Sequence, residues 1–215
     1  MDDKPNIREQ MDRIYRDVPL ASIPWNLEEP PPLLVEAVQT ARIKPCQAAD
    51  LGCGAGNYAV WLAGKGFDVT GFDISREAVE RARSLAVSKG VSGRFMVLDL
   101  LGDLSDYHER FDFAYDWELL HHIFPEDRRR YVQNVRQLIR PGGTYLSSCF
   151  SEADTSFGGK GKYRKTPLGT TLYFSSEDEL RNLFEPTFRV QDLSTVEIPG
   201  KSGSHMVVVA WLERP

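Results

Sequence analysis

Asp50-Leu51-Gly52-Cys53-Gly54-Ala55-Gly56 sets three glycines at alternate positions behind one acidic residue. An apolar run ends at Leu51, and a helical run begins near Asn57. A strand, a tight glycine turn and a helix bring backbone N–H groups and the positive end of a helix dipole to one point. Glycine allows φ > 0 in such a turn and lets a ligand approach the backbone. The dinucleotide fingerprint G-x-G-x-x-G would need glycine at position 57, where Asn57 stands. A carboxylate two places before the first glycine is unfavourable beside a pyrophosphate and favourable beside an ammonium group. The loop therefore suits a zwitterionic ligand better than a dinucleotide.

Two more carboxylates follow at strand–helix–strand spacing. Asp73 closes the apolar run from Phe67, 23 residues after Asp50, and Asp99 closes the run from Gly93, another 26 residues on. In an open parallel sheet the carboxyl ends of the strands line the ligand crevice, so the loop and three carboxylates converge on one molecule. Asp73 there can accept from two ribose hydroxyls and Asp99 from an adenine amino group. Taken singly, Asp73 is as well explained as a capping or loop residue, and Asp99 better explained as a solvated turn residue.

The surrounding pattern reads as a parallel α/β sheet. Ser75 is placed to cap a helix that Gly90 stops. Phe111–Asp116 is a further strand. Tyr131, Val132, Val135, Leu138 and Ile139 form a helical stripe over 126–139. Pro141-Gly142-Gly143 then turns into a fifth strand, Thr144–Phe150. Residues 1–45 read as a helical cap or lid segment preceding the main domain at 46–215. Within that domain 151–174 reads as a mobile, glycine-rich insertion. A capping box, Ser176 with Glu179, opens a short helix. Two strand-like runs, Phe188–Ile198 and His205–Leu212, end the chain.

Bulk properties narrow the function classes. At 215 residues with 41% apolar content the chain can hold one large domain, or else two small ones. No stretch approaches the roughly 20 apolar residues of a membrane span. The acidic start, Met1-Asp2-Asp3-Lys4-Pro5, lacks the apolar run of a secretory signal. Three scattered cysteines suit a reducing cytoplasm and neither a disulfide framework nor a zinc site. A net charge of −5 weighs against nucleic-acid partners.

As an ordered set these motifs resemble the class I S-adenosylmethionine-dependent methyltransferases over residues 46–215. The resemblance implies a Rossmann-like, seven-stranded, mostly parallel sheet with helices on both faces and a C-terminal antiparallel hairpin. It implies S-adenosylmethionine as cofactor and S-adenosylhomocysteine as product. Asp50, Gly52, Gly54 and Gly56 would wrap the methionine part, Asp73 and Ile74 the ribose, and Asp99 and Leu100 the adenine. Asp116 would lie at the methyl-transfer end of the fourth strand. The sequence lacks the N/D-P-P-Y pattern frequent in base-methylating enzymes, since Asp116-Trp117-Glu118 stands there. A small-molecule acceptor is expected instead.

Methyl transfer from a sulfonium needs close, in-line positioning and, for a hydroxyl, thiol or ammonium acceptor, a base. Trp117, His121 and His122 lie on the acceptor side, either histidine serving as that base. Two adjacent histidines without a third ligand make no metal site. Tyr15 and Trp25 in the cap offer aromatic faces to the sulfonium. The basic run Lys160–Lys165 would form a lid over an anionic acceptor. The competing readings are a nicotinamide-dependent oxidoreductase and a non-catalytic cofactor-binding protein.

Overall fold

The computed structural model describes residues 6–215; the acidic start Met1–Pro5 lies outside the described residues. Five parallel strands form most of the seven-stranded main sheet: β1 (Gln47–Leu51), β2 (Asp68–Asp73), β3 (Arg94–Val97), β4 (Phe111–Trp117) and β5 (Ile139–Phe150). β6 (Tyr163–Lys165) and β7 (Thr171–Tyr173) form a separate hairpin. β8 (Arg189–Gly200) and β9 (Gly203–Glu213) complete the main sheet as an antiparallel pair. The order is β3-β2-β1-β4-β5-β9-β8, so the chain reverses direction across the sheet between β1 and β4. The crevice of an open α/β sheet opens at that reversal, beyond Leu51 on one strand and Trp117 on the other.

Both faces of the central strands are buried, which explains why β4 reads as an unbroken apolar run and not as an alternation. One face carries α2 (Pro32–Gln39), α3 (Asn57–Gly64) and α4 (Arg76–Lys89), packed over Ala48, Phe113, Tyr115 and Leu146. The other carries α5 (Pro125–Leu138) and α6 (Glu177–Phe184), packed over Ala49, Phe72, Ala114 and Tyr145. Pro125 opens α5, where its missing N–H costs nothing, and the predicted stripe of Tyr131, Val132, Val135 and Leu138 is buried. Ser75 caps α4 by accepting from the Ala78 N–H, Gly90 ends it in the left-handed region, and the Ser176–Glu179 capping box is formed.

Three segments differ from their sequence reading. β5 begins at Ile139, because Arg140–Gly143 stays in the ladder through a register shift against Phe111–Phe113. Within 1–45, only α1 (Ile7–Asp17) and the following turns form a cap. Leu34 and Ala37 of α2 share one apolar core with the sheet.

The glycine-rich insertion is built around buried polar groups. Asp154 accepts from the backbone N–H groups of Ser156 and Met206, both at 2.7 Å. Arg164 donates to the carbonyls of Glu152, Asp154, Ser156 and Gly161 and lies over the Phe174 ring. Lys162 pairs with Glu152 and Glu179. These partners take up Arg164 and Lys162, two of the four cations of the basic run.

Candidate active site

The glycine loop leaves β1 and returns in α3. The N–H groups of Gly52 and Cys53 both bond the Phe72 carbonyl, at 2.8 and 2.9 Å. Asp73, at the end of β2, then grips the loop from the side. Its Oδ2 accepts from the Gly54 N–H at 2.8 Å and its Oδ1 from the Ser75 N–H at 2.9 Å. Gly54 holds φ +52°, and a Cβ there would stand 2.5 Å from the Tyr15 hydroxyl.

That hydroxyl belongs to the cap. α1 is fastened to the start of α4 by Asp12, which accepts from the Ser75 hydroxyl at 2.6 Å and the Glu77 N–H at 3.3 Å. Arg81 donates to the Tyr15 carbonyl at 2.9 Å. Trp25 Nε1 donates to the Tyr15 hydroxyl at 2.9 Å, and Asn57 Nδ2 reaches Asn26 Oδ1 at 3.0 Å. The tip of the β8–β9 hairpin holds the other side, where Lys201 Nζ donates to the carbonyls of Leu20, Ala21 and Ile23.

Beneath this cap lies a cavity of about 420 Å³. Asp50, Gly52, Gly54, Asp73, Ile74, Asp99 and Leu100 line it, together with Tyr15, Trp25, Trp117 and His122. The carboxylates of the first three strands therefore do converge. Asp99 stands just beyond β3 and accepts from the Leu101 N–H at 2.9 Å. Burial pushes the Asp50 carboxyl up to about 7, helped by nearby Asp73 and Asp116 and opposed by the Tyr115 hydroxyl. Burial also raises Asp73, against the pull of the Ser75 and Gly54 N–H groups.

Five acidic residues line the cavity (Asp50, Asp73, Asp99, Glu118 and Asp127), and among the described residues no lysine or arginine does. Such a cleft attracts a cation. No cluster of three His, Cys, Asp or Glu suited to a metal ion occurs among the described residues.

Three sequence expectations are corrected. Asp116 does not line the cavity. It is fully buried on the other side of β4, where it accepts from Tyr131 at 3.0 Å, from Tyr145 and from Ser147. Gly56 faces away from the cavity, since a Cβ on it would meet Ala82 at 2.7 Å and Phe95 at 3.2 Å. It lets α3 pack closely on α4. His121 lies behind the cleft, stacked on Phe150 with ring centroids 4.7 Å apart. Burial holds it well below the usual histidine range and pushes His122 down to about 4.

Glu118 was not read as functional, although its place directly after β4 was visible. Of the described non-glycine residues at positive φ (Ala41, Glu109, Glu118 and Phe157), it alone lines the cleft.

Gly54→Ala is expected to push Tyr15 away and loosen the cap. At positive φ and against a fixed hydroxyl the change costs about 1–3 kcal/mol. Cofactor affinity should fall about tenfold, and limited proteolysis within α1 should quicken. Unchanged cleavage would mean that the cap does not rest on this loop.

Comparison with known proteins agrees with this geometry. The family model described as "Methyltransferase domain" matches residues 48–143. A 2-heptyl-1-hydroxyquinolin-4(1H)-one methyltransferase of Mycobacteroides abscessus is 26% identical over 198 residues, which is 90% of this chain and 82% of that protein. A solved structure reported under "Conversion of a Disulfide Bond into a Thioacetal Group during Echinomycin Biosynthesis" superposes with TM-score 0.82 at 26% identity, covering 97% of this chain and 92% of that one. The 1,6-didemethyltoxoflavin-N1-methyltransferase of Burkholderia thailandensis, solved with its substrate and S-adenosylhomocysteine, superposes with TM-score 0.74 at 22% identity, over 97% and 87% of the two chains. The strand order with its closing antiparallel pair, the glycine loop gripped by Asp73 and the match to a methyltransferase domain lead to one family. Residues 48–143 belong to the methyltransferase-domain family, and the chain as a whole has the fold of the class I S-adenosylmethionine-dependent methyltransferases.

Proposed function

We propose that this methyltransferase acts on a neutral, largely apolar small molecule. The single observation that carries this reading is the chemistry of the capped cleft. Its acceptor side and rim are aromatic (Tyr58, Trp117, Phe124 and Tyr163), its charges are all acidic, and among the described residues it offers no lysine or arginine to a phosphate or carboxylate. The same chemistry argues against a nucleic-acid acceptor, which needs basic contacts along its backbone. The quinolone-type acceptor in the name of the M. abscessus relative is of the expected kind.

The residues present fit the cofactor. S-adenosylmethionine carries an ammonium and a sulfonium into a cleft of unpaired carboxylates. Bound there, it supplies an electrophilic methyl group. We assign Asp50, Gly52 and Gly54 to its amino-acid end, Asp73 and Ile74 to the ribose, and Asp99 and Leu100 to the adenine. Tyr15 and Trp25 close over it from the cap, and Trp117 and His122 face the acceptor. A reducing cytoplasm suits Cys46, Cys53 and Cys149, all free thiols.

S-adenosylhomocysteine release should be measured with purified protein, S-adenosylmethionine and a panel of hydroxyquinolones, phenols and thiols beside carboxylate, phosphate and RNA acceptors. Turnover confined to the charged set would sink this reading.

A pH dependence follows from Asp50. Its carboxylate pairs with the ammonium only when ionised, and in the free protein burial raises it to about 7. Affinity for the cofactor is therefore full above that value and lost as pH falls through it, by at most about tenfold per pH unit. Calorimetric titrations from pH 5.5 to 7.5 should show this slope, and Asp50→Asn should flatten it.

A further inference from the structure

Glu118 occupies the junction of two cavities, and nothing assigned to the cofactor uses it. It lines both the main cleft and a smaller chamber of about 50 Å³ behind it. Its N–H is bonded to the Ser148 carbonyl at 2.9 Å, and its backbone is held at φ +65°. That conformation is strained for a non-glycine residue and persists where the surroundings enforce it. Its carboxylate has no hydrogen bond or ion pair with any described residue. A strained, unpartnered carboxylate at the end of the strand beside the reaction centre is poised to receive a proton.

We propose that Glu118 is the general base of this enzyme, taking the proton of the methyl acceptor and passing it into the chamber behind. This inference rests on the small-molecule reading above.

The histidines are poorer candidates. His121 is turned away from the cleft and stacked on Phe150. His122 faces the cleft, but burial makes it a weak base. The Nδ1 atoms of both are buried without a protein partner. They line the small chamber, whose wall is mostly apolar but carries the polar side chains of Glu118, His121, His122, Thr166 and His205, enough partners for an ordered water. His205, its side chain 21% exposed, lines the same chamber and brings it to solvent. The charged and titratable groups around Glu118 are Tyr58 from α3, Asp154 from the insertion, His121 and His122 from the turn after β4, and His205 from β9. Burial, with Asp154 nearby, raises Glu118 to about 7, the range in which a base works best at neutral pH.

In the step, a lone pair on the acceptor atom attacks the methyl carbon as the carbon–sulfur bond breaks and its electron pair returns to sulfur. The acceptor's proton moves to the Glu118 carboxylate, then through the chamber to solvent. S-adenosylmethionine is the only co-reactant, and charge balances as one sulfonium becomes one released proton.

The test compares Glu118→Gln with wild type on two thiols. Phenylmethanethiol carries its proton at neutral pH, whereas 4-nitrothiophenol is already ionised. The variant should bind S-adenosylmethionine within threefold of wild type by calorimetry. It should lose about 100-fold or more in kcat/KM with phenylmethanethiol and stay within about fivefold with 4-nitrothiophenol. Equal loss on both thiols, or none on either, overturns the proposal.

A second measurement needs no turnover. Infrared difference spectra of the S-adenosylhomocysteine-bound protein should show a carboxyl band that titrates near pH 7 and is missing in Glu118→Gln. Absence of that band overturns the proposal even if neither thiol is a substrate. Lack of turnover by wild type with every small acceptor overturns the small-molecule reading instead.

Discussion

Asp73→Ala is expected to weaken S-adenosylmethionine binding by two to three orders of magnitude. Two contributions enter. The first is direct: a carboxylate accepting from two ribose hydroxyls makes charge-assisted bonds of about 1.5–3 kcal/mol each. The second is the loop itself. Asp73 bonds the N–H groups of Gly54 and Ser75, so it holds the glycine turn against the start of α4. Losing it frees that turn to move and leaves both N–H groups without their partner. The two overlap, since one carboxylate makes both sets of bonds, and together amount to about 3–4 kcal/mol, which corresponds to this loss of affinity. The apolar core does not depend on Asp73, so the variant should unfold cooperatively with a midpoint only a few degrees lower. Calorimetry with S-adenosylmethionine decides the matter, and an affinity within threefold of wild type would show that the ribose lies elsewhere.

Asp116→Ala should have the opposite profile, a large loss of stability with binding nearly intact in the molecules that remain folded. Asp116 is completely buried and accepts from the hydroxyls of Tyr131, Tyr145 and Ser147. Burial raises its carboxyl to about 6, while those three hydroxyls pull it down. Alanine would strand three buried donors and leave a void between β4, β5 and α5. Removing one partner from such a cluster costs about 3–5 kcal/mol. In a domain of this size that lowers the melting midpoint by roughly 10 °C. Differential scanning calorimetry reads the shift. A midpoint within 2–3 °C of wild type, together with lost cofactor affinity, would return Asp116 to the binding site.

The contrast between these residues shows what the sequence makes legible. Asp50, Asp73 and Asp99 each follow a strand, and a parallel sheet brings all its strand ends to one edge, so local pattern was enough to bring them together. Asp116 also lies near a strand end, but inside a strand buried on both faces. There the pattern is apolar throughout and does not tell which side a residue faces. Its partners Tyr131 and Tyr145 are 15 and 29 residues away, beyond any local signal.

His121 and His122 illustrate the same limit, since both line the small chamber while only His122 also reaches the main cleft. The insertion misled by composition. Its glycines suggested a mobile loop, while its organisation comes from Arg164 bonding four carbonyls, three of them 8 to 12 residues away. The cap was visible as a helix, but its docking through Asp12 and Ser75 spans 63 residues.

The acidic lining of the cleft bears on the end of the catalytic cycle as much as on its beginning. Methyl transfer erases the charge on sulfur, while Asp50, Asp73, Asp99, Glu118 and Asp127 remain in place. The spent cofactor thus faces the same crowd of carboxylates with one positive charge fewer. Mutual repulsion that the incoming molecule relieved is partly restored. The reaction thereby loosens its own product, and the cleft favours exchange for a fresh cation over retention of the neutral thioether.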